Sequence, residues 1–421
     1  MQAGRERHTH SEGVLFTVFG LVGVAGLLLA AARVGLVIMT APLAMILMFA
    51  AVSWAWSRWS LKGVACERGL STSRVFPGEG IYLNLRLINR KPLPVSWLSV
   101  RTAIPAGLEL VEPSDAAPLV SPATATVIEH STAIPAYASA SWDQHVVCRH
   151  RGYYPLGPMA VASGDAFGLY SRAVVVESGD AVIVYPRLLS LEELGLPARS
   201  LLGDTRAQLR LFEDPSRTMG VREYVPGDGL RRVHWKATAR QGRLQVRVHE
   251  QTTTHKVGLF LSADDLAGLT DDDFELAISV MASVARSLVY RGGQVGLWVN
   301  AKGADNGRPA RLPAAGGQEQ LVQVLEALAK VTRSSNGDFA SFFAAQRADL
   351  SFGTTPVFIL GRAGSAVRSI LADLRDSGVQ PVVAQVGEGQ PGGRVPGVVW
   401  HTVRRPAVGD THGRPQDRRV A

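Results

Sequence analysis

Two stretches of this sequence hold residue types able to do chemistry. One is Gly220-Val221-Arg222-Glu223-Tyr224-Val225-Pro226-Gly227-Asp228-Gly229-Leu230-Arg231-Arg232-Val233-His234-Trp235-Lys236-Ala237-Thr238-Ala239-Arg240. Asp228, His234 and Lys236 are competent as acid, base and cation. On a helix, however, residues 234 and 236 point about 200° apart, so the set does not converge. A basic row of Arg232, Lys236 and Arg240, with Trp235 as a stacking platform, would suit nucleic acid. The structural alternative is a clasp, in which Arg–carboxylate pairs and a buried Trp235 fix one domain against the next. The other stretch is His145, Cys148 and His150. Residues 148 and 150 share a strand face that 145 does not, and zinc needs three or four convergent ligands, so no metal is expected there. No GxxxxGK[ST] loop is present, Gly361-Arg362-Ala363-Gly364 is a short strand-to-helix turn, and Ser365 lies outside a GxSxG elbow.

The elements that must carry these residues follow from pattern. Pro226-Gly227 makes a tight turn, and Asp228 is then placed as the N-cap of a short helix. Arg231, Trp235 and Thr238 fall on one face of that helix, Gly242 ends it, and Leu244–His249 alternates as a strand with Leu244, Val246 and Val248 on one side. Upstream, residues 64–186 hold short alternating runs broken by turns: Ile81–Ile88, Val95–Thr102, Thr124–Ile134, Ser141–Arg149, Ser171–Glu177 and Ala181–Tyr185. That spacing predicts a β-sandwich of immunoglobulin size. Downstream, residues 251–402 alternate strand and helix. Strands Lys256–Leu261, Gln294–Asn300, Pro356–Leu360 and Pro381–Val386 are separated by helical patterns such as Phe274, Ile278, Met281, Ala285 and Leu288. Such alternation predicts a doubly wound, mostly parallel α/β sheet.

The N-terminal region is of another kind. Val14–Ala32 is an uncharged run of 19 residues; Arg33 interrupts it, and Val34–Trp56 is a second uncharged run ending among Trp54, Trp56 and Trp59. Each approaches the ~20 residues that cross a bilayer, and the tryptophans mark an exit at headgroup level. Arg5 and Arg7 precede the pair and Arg58, Lys62 and Arg68 follow it, which places both termini in the cytoplasm by the positive-inside rule. The expectation is a multi-pass protein of the inner (plasma) membrane. It carries 44 basic against 36 acidic residues, only six of them Lys, and two cysteines. A disulfide scaffold is thereby excluded, and the positive balance suits anionic lipid or an acidic partner as well as nucleic acid.

Arg222-Glu223-Tyr224-Val225-Pro226-Gly227-Asp228 through Trp235-Lys236-Ala237-Thr238-Ala239-Arg240 resembles the signature of bacterial domain-of-unknown-function family fifty-eight. Arg151-Gly152-Tyr153-Tyr154-Pro155-Leu156-Gly157-Pro158 and Gly164-Asp165-Ala166-Phe167-Gly168-Leu169-Tyr170 add to the likeness, the second with Ala166 where a proline is common. The resemblance implies a membrane hairpin, a β-domain, the signature and a von Willebrand factor A-like domain. It also implies partners: a MoxR-type AAA+ ATPase, and a transglutaminase-like membrane protein beside it. In the resembled α/β domain an Asp-x-Ser-x-Ser loop holds magnesium. Here the strand end reads Leu261-Ser262-Ala263-Asp264-Asp265, so Ser262, Asp264 and Asp265 could supply oxygens, but in the wrong order.

The sequence therefore reads as an α+β multidomain membrane protein: 1–13 cytoplasmic, 14–57 two transmembrane helices, 64–186 β-sandwich, 187–250 linker with the signature, 251–402 von Willebrand factor A-like, and 403–421 a disordered basic tail. The expected function is a non-enzymatic adaptor facing the cytoplasm, with no cofactor. Its working residues would be Arg222, Tyr224, Pro226, Gly227, Asp228, Arg231, Trp235, Lys236 and Arg240. A metal-assisted hydrolase and a membrane-tethered nucleic-acid binder are the alternatives.

Overall fold

The computed structural model describes residues 18–111, 119–121, 125–197, 213–226, 228, 233–251, 255–347, 353–387 and 394–405. The N-terminal arginines, Gly227, Arg231, Arg232 and the basic tail beyond 405 lie outside the described residues. The chain divides into two compact units, Met1–Tyr185 and Pro186–Ala421.

The first unit opens with two apolar helices, α1 (Val18–Val34) and α2 (Val37–Ser60). Gly35, at φ +78°, makes the break between them, a conformation that a side chain would strain. Among the described residues only α2 is long and apolar enough to cross a membrane, with a mean hydropathy of 2.0. The described part of the first apolar run is a 17-residue helix, about 26 Å of rise against a ~30 Å hydrocarbon core.

Among the described residues twelve strands follow: β1 (Val64–Leu70), β2 (Arg74–Val75), β3 (Gly80–Asn89), β4 (Val95–Pro105), β5 (Leu108–Leu110), β6 (Leu119–Ser121), β7 (Ala125–Ile134), β8 (Ser139–Cys148), β9 (Gly152–Pro155), β10 (Met159–Gly164), β11 (Ser171–Val176) and β12 (Ala181–Val184). They form one sheet in the order β1-β3-β8-β5, a second in the order β11-β10-β4-β7-β6, and a small third, β2-β12-β9. Alternation explains β3, where Ile81, Leu83, Leu85 and Leu87 are all buried and the residues between them face outward. One core joins Ile81 and Leu83 of the first sheet to Ile104 and Ile128 of the second; another joins Leu85 and Leu87 to Leu98, Val100 and Met159. Cys148 is buried in the first of these cores, and His145 stacks on Tyr82. Burial pushes the thiols of Cys66 and Cys148 up to about 11.

The second unit begins with a ribbon, β13 (Glu213–Glu223) against β14 (Gln245–Gln251), with the short helix α3 (Trp235–Gln241) between them. The chain then runs through β15 (Lys256–Leu261), α4 (Ala263–Leu266), α5 (Asp271–Tyr290), β16 (Gln294–Val299), β17 (Ala301–Gly303), β18 (Ala310–Ala315), α6 (Gln318–Lys330) and β19 (Val331–Ser335). It ends with α7 (Phe339–Gln346), β20 (Thr354–Leu360), α8 (Ser365–Asp376), β21 (Val382–Gln385) and β22 (Val399–Thr402). Six of these strands make a sheet in the order β18-β16-β15-β20-β21-β22, all parallel except the edge strand β18. Phe260, Trp298 and Phe358 stack on one face beneath Phe339, Phe342 and Phe343 of α7 and Leu371 of α8. Leu259 and Leu261, pointing the other way, are as deeply buried, so both faces are covered.

Thr270 caps α5 by accepting from Asp273 N–H, and Asp273 itself is clamped by Arg405 at 2.5 Å. Burial pushes Asp273 up, but the Arg405 guanidinium and the Thr270 hydroxyl outweigh it and hold the carboxyl below its ordinary 3.8. Because its folded value is depressed, Asp273 stabilises the unit above about pH 4 and ceases to do so as pH falls through the folded value. Asp273→Asn should therefore be less stable than the parent at pH 6, and the gap should narrow as the pH is lowered below about 4 in denaturant titrations.

Candidate functional site

The signature stretch is organised by one carboxylate. Arg222, on β13, lays both guanidinium nitrogens on Asp228, at 2.7 Å each, and Val225 N–H donates to the same carboxylate at 3.0 Å. Asp228 N–H in turn donates to Val225 O, so the turn through Pro226 is closed from both ends. The expected N-cap role of Asp228 falls on residues 229–232, which lie outside the described residues. The helix begins at Trp235, and His234 caps it, its Nδ1 accepting Ala237 N–H at 3.0 Å. β13 pairs with β14 and carries Arg222 to the turn, where its forked guanidinium meets the carboxylate. Gly242 closes α3 in the left-handed region, at φ +67°.

The buried Trp235 expected of a clasp is corrected: the indole is 66 % exposed, and no residue of α3 is buried. A two-turn helix on a two-stranded ribbon offers too little sheet to cover an indole. Its inward anchor is Thr238, whose hydroxyl accepts Gln245 N–H at 3.0 Å. Leu244 is likewise exposed, while Val246 is buried. Lys236 and Arg240, one helical turn apart, are exposed beside Trp235, and Tyr224 is half-buried. Asp228→Ala removes a forked pair whose carboxylate is only 15 % exposed, and should cost about 1–2 kcal/mol in urea unfolding followed at the ribbon amides.

A second place of interest is the carboxyl end of the parallel sheet. The chain moves from β15 to β16 on one side and later returns to β20 on the other, so the topological switch lies between β15 and β20. Ligands of open α/β sheets bind in that crevice. Here it is bridged from within. Asp265 accepts Gly361 N–H at 2.6 Å, Arg362 N–H at 3.0 Å and Gly364 N–H at 3.1 Å. Asp264 accepts Asn300 Nδ2 at 2.9 Å and Phe339 N–H at 3.1 Å, and the Asn300 side-chain oxygen takes Ala263 N–H at 2.6 Å. Ser262 caps α4 by accepting Asp265 N–H. These are the residues weighed as magnesium ligands, and the donor set does not fit a cation: five N–H groups point at the two carboxylates, where an ion would meet positive dipole ends. Among the described residues no group of three or more His, Cys, Asp or Glu comes together to hold a metal. The sequence pattern had no way to single out Asn300, fully buried just after β16, because its side chain joins Ala263 N–H, the Asp264 carboxylate and Gly337 O, which only the fold brings together.

A surface cleft of about 370 Å³ lies elsewhere, between the β17–β18 connection and α6, crossed by the Lys330–Asp305 ion pair at 2.9 Å. None of the residues singled out in the sequence lines it.

The end of β13, α3, β14 and the chain from β15 to α7 fall within one stretch of recognisable relationship. Residues 220–350 match the family described as Protein of unknown function DUF58. The DUF58 match thus covers the Arg222–Asp228 clamp, α3, Asp264 and Asp265, and stops short of β20 and Gly361–Gly364. The chain is also similar to the Uncharacterized protein YeaD of Bacillus subtilis (strain 168), 23 % identical over 248 residues, which is 57 % of this chain and 56 % of that protein. The match spans little more than half of that relative's length. Among solved structures, an Escherichia coli alpha-2-macroglobulin fragment from domain MG7 to the C-terminus aligns at TM-score 0.23 and 14 % identity, over 30 % of this chain and 24 % of that one. A non-cellulosomal cohesin from Archaeoglobus fulgidus aligns at TM-score 0.19 and 14 % identity, over 27 % of this chain and 91 % of that one.

Proposed function

We propose that this chain is a membrane-anchored, non-enzymatic adaptor. In this reading α1 and α2 form a two-pass anchor with both termini in the cytoplasm, the first unit's sheets form a β-sandwich, and the second unit is von Willebrand factor A-like. That second unit engages a MoxR-type AAA+ ATPase, with a transglutaminase-like membrane protein as a further neighbour. The observation that carries the proposal is α2: Val37, Ile38, Met45 and Met48 stand well exposed, up to 86 % for Ile38, on a helix without charge until Arg58. So much apolar surface on one helix asks for lipid.

The partner surface fits Trp235 with Lys236 and Arg240. A large exposed aromatic flanked by cations is the composition of an interface anchor, and it favours an acidic partner face. Metal-assisted hydrolysis has less to work with, since Asp264 and Asp265 are already taken up by N–H donors.

Crosslinking in native membranes, followed by capture and mass spectrometry, tests the proposal. Retention of the chain in carbonate-washed membranes, with an AAA+ ATPase crosslinked to residues 235–402, is the expected result. Release of the chain by carbonate defeats the anchor. Retention with no ATPase at any crosslinker dose defeats the adaptor role.

A further inference from the structure

The strand registers of the first unit bring several loops to one end. Val95 at the start of β4 pairs with Ile134 at the end of β7, Leu98 pairs with Ser163 near the end of β10, and Val64 at the start of β1 pairs with Asn89 at the end of β3. The β3–β4, β7–β8 and β10–β11 connections therefore share the end from which α2 emerges. Lys91 ties the first of them to the helix, its ammonium capping the Trp59 and Ser60 carbonyls at the α2 C-terminus. This end displays Trp59, Leu93, Tyr137 and Phe167 as exposed apolar side chains, with Arg58, Lys62 and Arg90 among them.

The Phe167 loop reaches furthest. It is rigidly built: buried Asp165 accepts Phe167 N–H at 3.0 Å and Tyr170 N–H at 2.7 Å, while Trp97 Nε1 holds the Asp165 carbonyl at 3.0 Å. A Cβ on Gly164 would run into the Tyr170 carbonyl, so the hairpin closes only with glycine there. The loop presents Phe167 to α2, where its ring lies 4.5 Å from that of Phe49, yet it remains 66 % exposed. Along this contact α2 turns a face of Ala50, Ser53, Ser57 and Ser60 inward, and the small side chains let the hairpin approach.

Length then decides where the loop sits. Phe49 precedes Ser60 by 11 residues, about 16 Å of helix. Were the bilayer to end at Phe49, only Val37–Met48 would be left to cross it, about 18 Å against ~30 Å of hydrocarbon. The C-terminal half of α2 must lie at membrane depth, and the loop beside it with it. We infer that the Asp165–Tyr170 loop is a lipid-inserting wedge: Phe167 enters the acyl region beside α2, with Tyr137 and Trp59 at the headgroup level and Arg58, Lys62 and Arg90 against anionic headgroups. The wedge rests on the membrane-anchor reading and gives it a second point of attachment, which fixes the tilt of the β-domain on the bilayer.

The test uses the full chain in phosphatidylcholine–phosphatidylglycerol vesicles, with an environment-sensitive fluorophore on Phe167→Cys, Met45→Cys or His150→Cys. Position 150 lies past the far end of the ten-residue strand β8, about 33 Å away. The parent chain sets the labelling background, which is low because both native thiols stay protonated at pH 7.5. The expected result is blue-shifted emission at 45 and 167, quenched several-fold more by doxyl-labelled lipid than at 150. Quenching at 45 with water-like emission at 167 overturns the wedge and leaves the anchor standing. Water-like emission at 45 overturns both. Blue-shifted but unquenched emission at 167 places the ring against protein, such as a second copy of the chain, and also overturns the wedge.

Discussion

Arg68→Met should destabilise the first unit by about 3–5 kcal/mol, the largest effect expected of any single substitution in it. The Arg68 side chain is 1 % exposed. Its guanidinium donates to Asp180 at 3.1 Å, to Gly157 O at 2.9 Å and to Leu156 O at 3.3 Å, and so joins β1 to the β9–β10 connection and to the residue before β12. A methionine fills much of the volume but supplies no donor, leaving two carbonyls and a half-exposed carboxylate without their cation. Arg68→Lys should recover little, since one ammonium cannot span acceptors that a planar fork reaches together. The double variant Arg68→Met/Asp180→Asn should recover part of the loss by removing the orphaned charge. Hydrogen exchange at the β1, β3 and β8 amides in the full chain reads the effect; a change below about 1 kcal/mol would show that the fork is ornamental.

The same arginine shows why part of the fold was legible and part was not. The run Ile81–Ile88 announces β3, because every second residue is a large aliphatic and every one of those is buried. In β1 the inward positions are Cys66, Arg68 and Leu70, and a charge on the inward face erases the period-two signal. β10 hides for a milder reason. Its inward Met159 and Val161 alternate with Ala160 and Ala162, so the contrast in hydrophobicity is slight. The α2 helix and the parallel strands of the second unit needed only long apolar runs to be seen.

The candidate site was legible in its residues and not in its contacts. Asp228 stands out by type and position, but its pairing with Arg222 depends on the β13–β14 ribbon bringing the arginine to it. Phe167 drew attention only as part of a motif. What makes it informative is the Phe49 ring, 118 positions earlier in the chain and brought beside it by the fold. Asp264 and Asp265 stand out as carboxylates with oxygens to offer. All but one of the groups that claim them are backbone N–H groups, of residues 339, 361, 362 and 364, and an amide hydrogen has no letter in the sequence.

For that reason Asp265→Ala is the sharper test of the second unit. Its carboxylate is the anion of a backbone nest: Gly361, Arg362 and Gly364 N–H groups converge on it, and Ala363 between them is held at φ +55°, where a side chain is strained. Removing the carboxylate leaves three aligned donors and a strained alanine with nothing to hold it. The bonds to Arg362 and Gly364 are exposed, so water replaces them in part, and the loss should come to about 2–3 kcal/mol, a fall in melting temperature of roughly 4–10 °C for a unit of this size. Asp265→Asn should do as badly, because its amide group turns donors towards donors. The parent's melting temperature should also stay flat as magnesium is raised to millimolar levels, since the carboxylates are already committed. A rise following RT ln(1 + [L]/Kd) would mean instead that the ion can displace the N–H groups, and that the crevice between β15 and β20 is a metal site closed by its own backbone.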